Sequence, residues 1–178
     1  MRSGRRDRAA RLLAEARTAV LATVDDVGQP RLVPVCFVAL DREPEGGGTN
    51  DPSGDAGWPA IYSPIDEKPK ATTDPLALAR IRDILARPAV TVLVDRWDED
   101  WGRLAWLRLH GVATVLEASQ KSAADERAEA IVALRAKYPQ YADHRLEELP
   151  IIRILVTRTS SWAATPRDLP DDLAADAR

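Results

Sequence analysis

Residues 65–111 read IDEKPKATTDPLALARIRDILARPAVTVLVDRWDEDWGRLAWLRLHG. Lys68 and Lys70 flank Pro69, whose fixed backbone angle stiffens their spacing, so both ammonium groups can approach one anion before any ordering of the chain. Asp74-Pro75 is a helix start, with Asp74 as N-cap and Pro75 at the first helical position. The helix must stop before Pro88, and Leu78, Ile81 and Leu85 form its expected buried stripe. Arg80 lies near the middle of that helix; Arg82, two residues on, cannot share its face. Ala89–Asp95 reads as a strand and Leu104–Glu117 as another, joined by the polar turn Asp98-Glu99-Asp100. Fixed positive charge is thus set beside an aromatic, sheet-built wall, which is what an anionic, flat-ringed ligand requires.

Outward from this block the chain is rich in strands. Asp7–Ala16 has apolar residues at helical spacing (Ala9, Leu12, Leu13, Ala16) and arginines on its other face, so it reads as a short amphipathic helix packed on a sheet. Thr18–Asp25 and Gln29–Leu40 are β-branched and apolar, and Asp26-Val27-Gly28 between them supplies the glycine of a tight hairpin. Pro30 and Pro34 cannot donate ladder hydrogen bonds, which places the second strand at an edge or a bulge. Residues 41–59 (DREPEGGGTNDPSGDAGWP) are too polar to offset their ordering entropy by burial and read as a flexible insertion leading to the short strand Ala60–Ser63. Ser122–Lys137 is an Ala- and charge-rich helix, Pro150–Trp162 a last long strand, and residues 164–178 a frayed tail. The expected fold is mainly β (α+β): about six antiparallel strands joined by short turns, closed into a small barrel with about three peripheral helices, in a single domain over residues 1–163.

Composition narrows the function. With 178 residues, 45% of them apolar, the chain can build one substantial core. A net charge of −3 gives no global basic field for a nucleic-acid backbone. No stretch approaches the roughly 20 apolar residues that span a bilayer. The single Cys36 and the absence of a signal-like apolar run at the N-terminus lead us to expect a cytoplasmic protein. Two histidines, His110 and His144, one cysteine, and neither HExxH nor CxxC spacing leave little material for a metal site or a Cys–His nucleophilic pair. The run Gly46–Gly48 lacks the flanking strand and helix of a phosphate loop. Chemistry here therefore falls to a bound cofactor. The plain alternative for Lys68 and Lys70 is solvated surface charge, and for Trp97, Trp101, Trp106 and Trp162 it is packing. Trp106, however, alternates with Ala105 and Leu107 and so shares a strand face with Arg108 and His110, which is not a pure core face.

The order TAVLATVDDVGQPRLVPVCFV (18–38), IYSPIDEKPKATT (61–73), LARIRDILARPAVTVLVDRWDEDWGRLAWLRLHGVATVLE (78–117) and IIRILVTRTSSW (151–162) resembles the pyridoxamine 5′-phosphate oxidase-like superfamily of flavin-binding proteins. Within it, the chain is similar to the actinobacterial branch that depends on the deazaflavin coenzyme F420. The resemblance implies a six-stranded Greek-key split β-barrel that forms a homodimer, with cofactor sites at the subunit interface. It implies that Pro34, Val35 and Cys36, with Tyr62 and Ser63, line the ring. Arg80, eight residues before Pro88, is implied to grip the phosphate, with Lys68 and Lys70 adding charge for the phosphate or the acidic tail of F420. Asp83 stands where the family has Asn, a departure that bears on any anion contact there. Trp106 occupies a ring-contacting position, and Trp162 closes the site, across the dimer. The implied activity is hydride transfer between the coenzyme and an unidentified small-molecule substrate, with no catalytic side chain assigned. The alternatives are an FMN-dependent oxidase or reductase of the same fold, and a non-enzymatic flavin or haem binder in which His110 would be the axial ligand.

Overall fold

Glycine at position 28 takes φ 88°, and the turn it permits pairs Ala19–Val24 (β1) with Pro30–Val35 (β2) in an antiparallel hairpin. The turn is held by Asp25, whose carboxylate accepts hydrogen bonds from the backbone N–H groups of Val27 and Gln29 and from the Arg31 guanidinium. These contacts hold the Asp25 carboxyl below its ordinary pKa, the Gln29 N–H foremost. The computed structural model describes residues 11–42, 57–67 and 74–164. Lys68, Lys70, the greater part of the 41–59 insertion and the tail beyond residue 164 lie outside the described residues.

The expected second strand, Gln29–Leu40, is two strands. β2 ends at Val35 and Val38–Leu40 (β3) pairs elsewhere, so the sheet has seven strands where six were expected. The break has a physical cause at Phe37, which is fully buried and off the ladder. Its N–H donates to the Tyr138 hydroxyl at 3.0 Å, and that hydroxyl donates back to the Phe37 carbonyl at 2.8 Å. A side chain 101 residues away thus replaces the ladder partner that sequence alone cannot supply.

The remaining strands are Ala60–Pro64 (β4), Ala89–Arg96 (β5), Ala105–Leu116 (β6) and Ile151–Ala163 (β7). Their order is β2-β1-β5-β6-β7-β4-β3, all antiparallel. β2, with its two prolines, is an edge strand as expected, and β3 and β4 are antiparallel neighbours on either side of the insertion. Among the described residues the sheet keeps two unpaired edges, β2 and β3, so it is a curled half-barrel and not a closed one.

Three helices pack on it: α1 over residues 11–15, α2 (Ala79–Ala86) and α3 (Ala124–Lys137). α1 and α2 cover the inner face, where Leu13, Leu21, Phe37, Ile81, Ile84, Val92, Leu107, Leu109 and Ile154 form one core. α3 covers one end of the outer face over Tyr62, Leu116, Leu134, Tyr138 and Leu146. The Asp74-Pro75 cap is real, but it opens a single 3₁₀ turn, Pro75–Ala77. Leu78 is then extended and α2 begins at Ala79, which makes Arg80 its second residue and not a mid-helix one. The shift also changes the buried stripe: Ile81 and Ile84 face the core, while Leu85 is 65% exposed.

β6 and β7 are the spine of the sheet, with a register shift between His110 and Gly111. A Cβ at Gly111 would stand 2.5 Å from the Leu155 carbonyl oxygen, so the close approach of the two backbones requires glycine. Buried Arg127 of α3 ties the far end together by donating to the carbonyls of Leu116, Glu147 and Leu149 at 2.7, 3.0 and 3.1 Å.

Candidate cofactor-binding site

Two groups of polar and aromatic residues stand out against this frame. The first is at the start of α2. Extended Leu78 feeds the chain into the helix so that Arg80 points inward, and burial lowers its pKa against the raising influence of Asp66 and Tyr141. Arg80 Nε is enclosed and, among the described residues, has no hydrogen-bond partner. An enclosed N–H left unsatisfied costs stability even with Asp66 nearby, and an anionic oxygen is what would complete it. Asp66 follows directly on β4 and accepts a hydrogen bond from the Tyr141 hydroxyl at 3.1 Å. The Tyr141 hydroxyl also interacts with the Cys36 thiol, and burial with these two acidic neighbours raises its pKa strongly. The exit of β4 is clamped from the same side: Ile65 N–H donates to the Pro150 carbonyl at 3.0 Å, and Arg145 pairs with Glu67 at 2.8 Å. The chain is thereby fixed immediately before Lys68.

The second group lies on the outer face of the sheet, at the end away from α3. Strand alternation puts Trp106, Arg108 and His110 on that face, and the register brings Trp162 beside Trp106 and Ser160 beside Arg108. The row runs on through Leu93 and Val20 to Pro34 on β2. The Arg108 guanidinium sits 5.0 Å over the Trp106 ring. His110 Nδ1 is 3.1 Å from the Thr91 hydroxyl, and burial, helped by Arg158 and Arg108, lowers its pKa. These influences favour the neutral imidazole. Leu32 and Val112 on this face are 66% and 45% exposed, and Ser160 Oγ is enclosed without a partner.

The sequence profile of the pyridoxamine 5′-phosphate oxidase family matches residues 6–163. The chain belongs to this family. No curated protein matches the sequence. Among solved structures, the fold is shared with the conserved hypothetical protein Rv2991 from Mycobacterium tuberculosis at 18% identity, over 92% of this chain and 88% of that one, with a TM-score of 0.63. It is also shared with HutZ, described as a haem storage protein of Vibrio cholerae, at 15% identity over 88% and 92% of the two chains with a TM-score of 0.58. A protein described as an F420 reductase matches at 18% identity over 84% and 94%, with a TM-score of 0.51.

Membership of the pyridoxamine 5′-phosphate oxidase family frames where the expected site residues lie. Trp106 and Trp162 are brought together on the outer face, and Pro34 shares that face three strands away. Cys36 and Arg80 approach the same residue, Tyr141. Val35 packs against the inner core, and Ser63 is buried on β4 opposite Ile152. Tyr62 is held apart under α3, where its hydroxyl donates to Glu126 and accepts from Arg42 Nε at 2.9 Å. Burial and Glu126 push its pKa up to about 12, so it is a poor proton donor at neutral pH. Asp83, at the family's Asn position, is buried and turned toward β1, accepting from the Thr23 hydroxyl at 2.8 Å with Arg31 Nε 3.4 Å away. Its carboxylate is committed to the fold. Sequence reading did not single out Asp66 and Tyr141, because their approach to Arg80 depends on contacts 75 residues apart along the chain. Among the described residues no cluster could hold a metal ion, and no helix is long and apolar enough to cross a membrane.

Proposed function

We propose that the protein is an oxidoreductase of the pyridoxamine 5′-phosphate oxidase family that uses the deazaflavin coenzyme F420, working as a homodimer on a small-molecule substrate. The observation that carries this reading is the enclosed, unpartnered Nε of Arg80, aimed from the first turn of α2. It fits the phosphate of such a cofactor, and Lys68 and Lys70 would add charge for a ligand more anionic than FMN. Trp106 and Trp162 offer a planar surface for a ring, with Arg108 holding the Trp106 face. In one chain the Arg80 group and the tryptophan pair belong to different groups of the fold, so a site using both needs a second copy. The uncovered outer face, with Leu32, Val20, Leu93 and Val112 exposed or half-exposed, is the surface that copy would cover.

When bound, the deazaflavin supplies hydride transfer at its C5 carbon. The protein's residues bind, orient and exclude water: Arg80 grips the anion, and the tryptophans fix the plane of the ring. His110, half-buried and tied to Thr91, also favours a second reading, a haem-binding protein in which His110 would hold the iron. Anaerobic fluorescence titrations of the purified protein with F420 and FMN in parallel test the proposal. Tighter binding of F420 supports it, tighter FMN binding moves the protein to the flavin branch, and binding of neither refutes a flavin role. A haem Soret band that vanishes in His110→Ala would establish the second reading; a band that persists would exclude that ligand.

A further inference from the structure

A cavity of about 530 Å³ opens between α1, β3 and α3, apart from the Arg80 and Trp106 groups. Its walls are apolar: Leu13 and Ala14 from α1, Val38 and Leu40 from β3, Ala133 and Ala136 from α3. Lys137 closes one side. Among the described residues its ammonium donates to the Leu13 carbonyl at 3.1 Å, and it lies 4.0 Å over the Phe37 ring and 5.6 Å from the Tyr138 ring centre. A second cation, Arg17, lies 4.8 Å from the centre of the same tyrosine ring and donates to the Lys137 carbonyl. Among the described residues neither cation is in an ion pair. Asp41, exposed at the rim, is the acidic residue of the lining. Burial first and the nearby Arg17 second press the Lys137 pKa down to about 8, with Cys36 acting weakly the other way, the response of an ammonium that has lost more water than it has gained in partners.

A ligand-sized apolar cavity with one desolvated ammonium at its wall is complementary to a molecule with a hydrocarbon body and one negative head. A phosphate dianion would want several convergent donors, and a neutral hydrocarbon would leave the ammonium unpaired. We propose that this cavity binds a medium-chain aliphatic monocarboxylate, its chain against Val38, Leu40, Ala133 and Ala136 and its carboxylate paired with Lys137. The cavity lining shares no residue with the Arg80 and Trp106 groups, although Cys36 stands between Lys137 and Tyr141, and octanoate binding can be tested without the cofactor.

Calorimetric titration of the full-length protein at pH 7 with octanoate and with octanol tests the assignment. Octanoate should bind saturably at one per chain. Lys137→Met should weaken octanoate by about tenfold or more, the scale of one lost, partly desolvated ion pair, and leave octanol unchanged. Ala136→Trp, at an exposed helix position on the lining, should obstruct the cavity and weaken both while the circular dichroism spectrum and melting curve remain those of the parent. If Lys137→Met does not fold, Ala136→Trp decides alone. Absence of saturable octanoate binding to the parent, equal octanoate affinity in Lys137→Met, or undiminished binding in Ala136→Trp would each overturn the proposal.

Discussion

Replacing Arg80 with methionine separates the cost of this side chain to the fold from its worth to a ligand. Its Nε is enclosed without a partner, and burial is the largest influence on the group. A buried polar group left unsatisfied costs about 1–3 kcal/mol, so Arg80→Met, similar in length and without charge, should leave stability unchanged or raise it. At roughly 2–4 °C per kcal/mol for a chain of this size, the melting temperature should stay level or climb a few degrees. Binding should move the other way. A hydrogen bond to a charged group contributes about 1.5–3 kcal/mol, which is on the order of a tenfold to hundredfold loss of affinity. Scanning fluorimetry of parent and variant gives the first number, and anaerobic F420 and FMN titrations give the second. A folded variant that binds the cofactor as tightly as the parent would refute the phosphate assignment. A melting temperature lowered by several degrees would show that Arg80 is held by Asp66 and serves the fold.

Three further outcomes follow from the geometry. Leu93→Glu puts a carboxylate at the middle of the uncovered outer face, between Val20 and Arg108; sedimentation should show a dimer for the parent and a monomer for the variant, with cofactor affinity lost in step. Gly111→Ala forces a methyl group to within 2.5 Å of the Leu155 carbonyl oxygen and 2.8 Å of Ile154 Cγ2, and should cost about 1–3 kcal/mol by urea denaturation. Stability should pass through an alkaline maximum near pH 10. Lys137 has its pKa lowered from 10.5 to about 8, so from about pH 8 to 10.5 the unfolded chain binds the extra proton and stability rises with pH. Tyr62 has its pKa raised from 10.0 to about 12, so between those values the folded chain holds the proton and stability falls as pH rises. Tyr138 and Tyr141, also raised by burial, add to the same fall, so urea melts across this range check both limbs and Tyr62→Phe should make the upper one shallower without removing it.

The strand-rich class, the β1–β2 hairpin with its turn glycine, the edge position of β2 and the shared face of Trp106, Arg108 and His110 were all legible in the sequence. Each is set by neighbours a few residues apart: a glycine able to take positive φ, prolines with no N–H, alternation along one strand. Only the tertiary structure decided what depends on distant partners. The break that makes seven strands of six rests on the Tyr138 hydroxyl capping both backbone groups of Phe37. The placing of Tyr62 under α3 rests on Arg42 and Glu126, and the diversion of Asp83 from any ligand rests on Thr23 and Arg31. Local patterns record backbone preference and which face a side chain takes, whereas the partner a buried polar group finds is fixed only when remote segments pack and its loss of water must be offset.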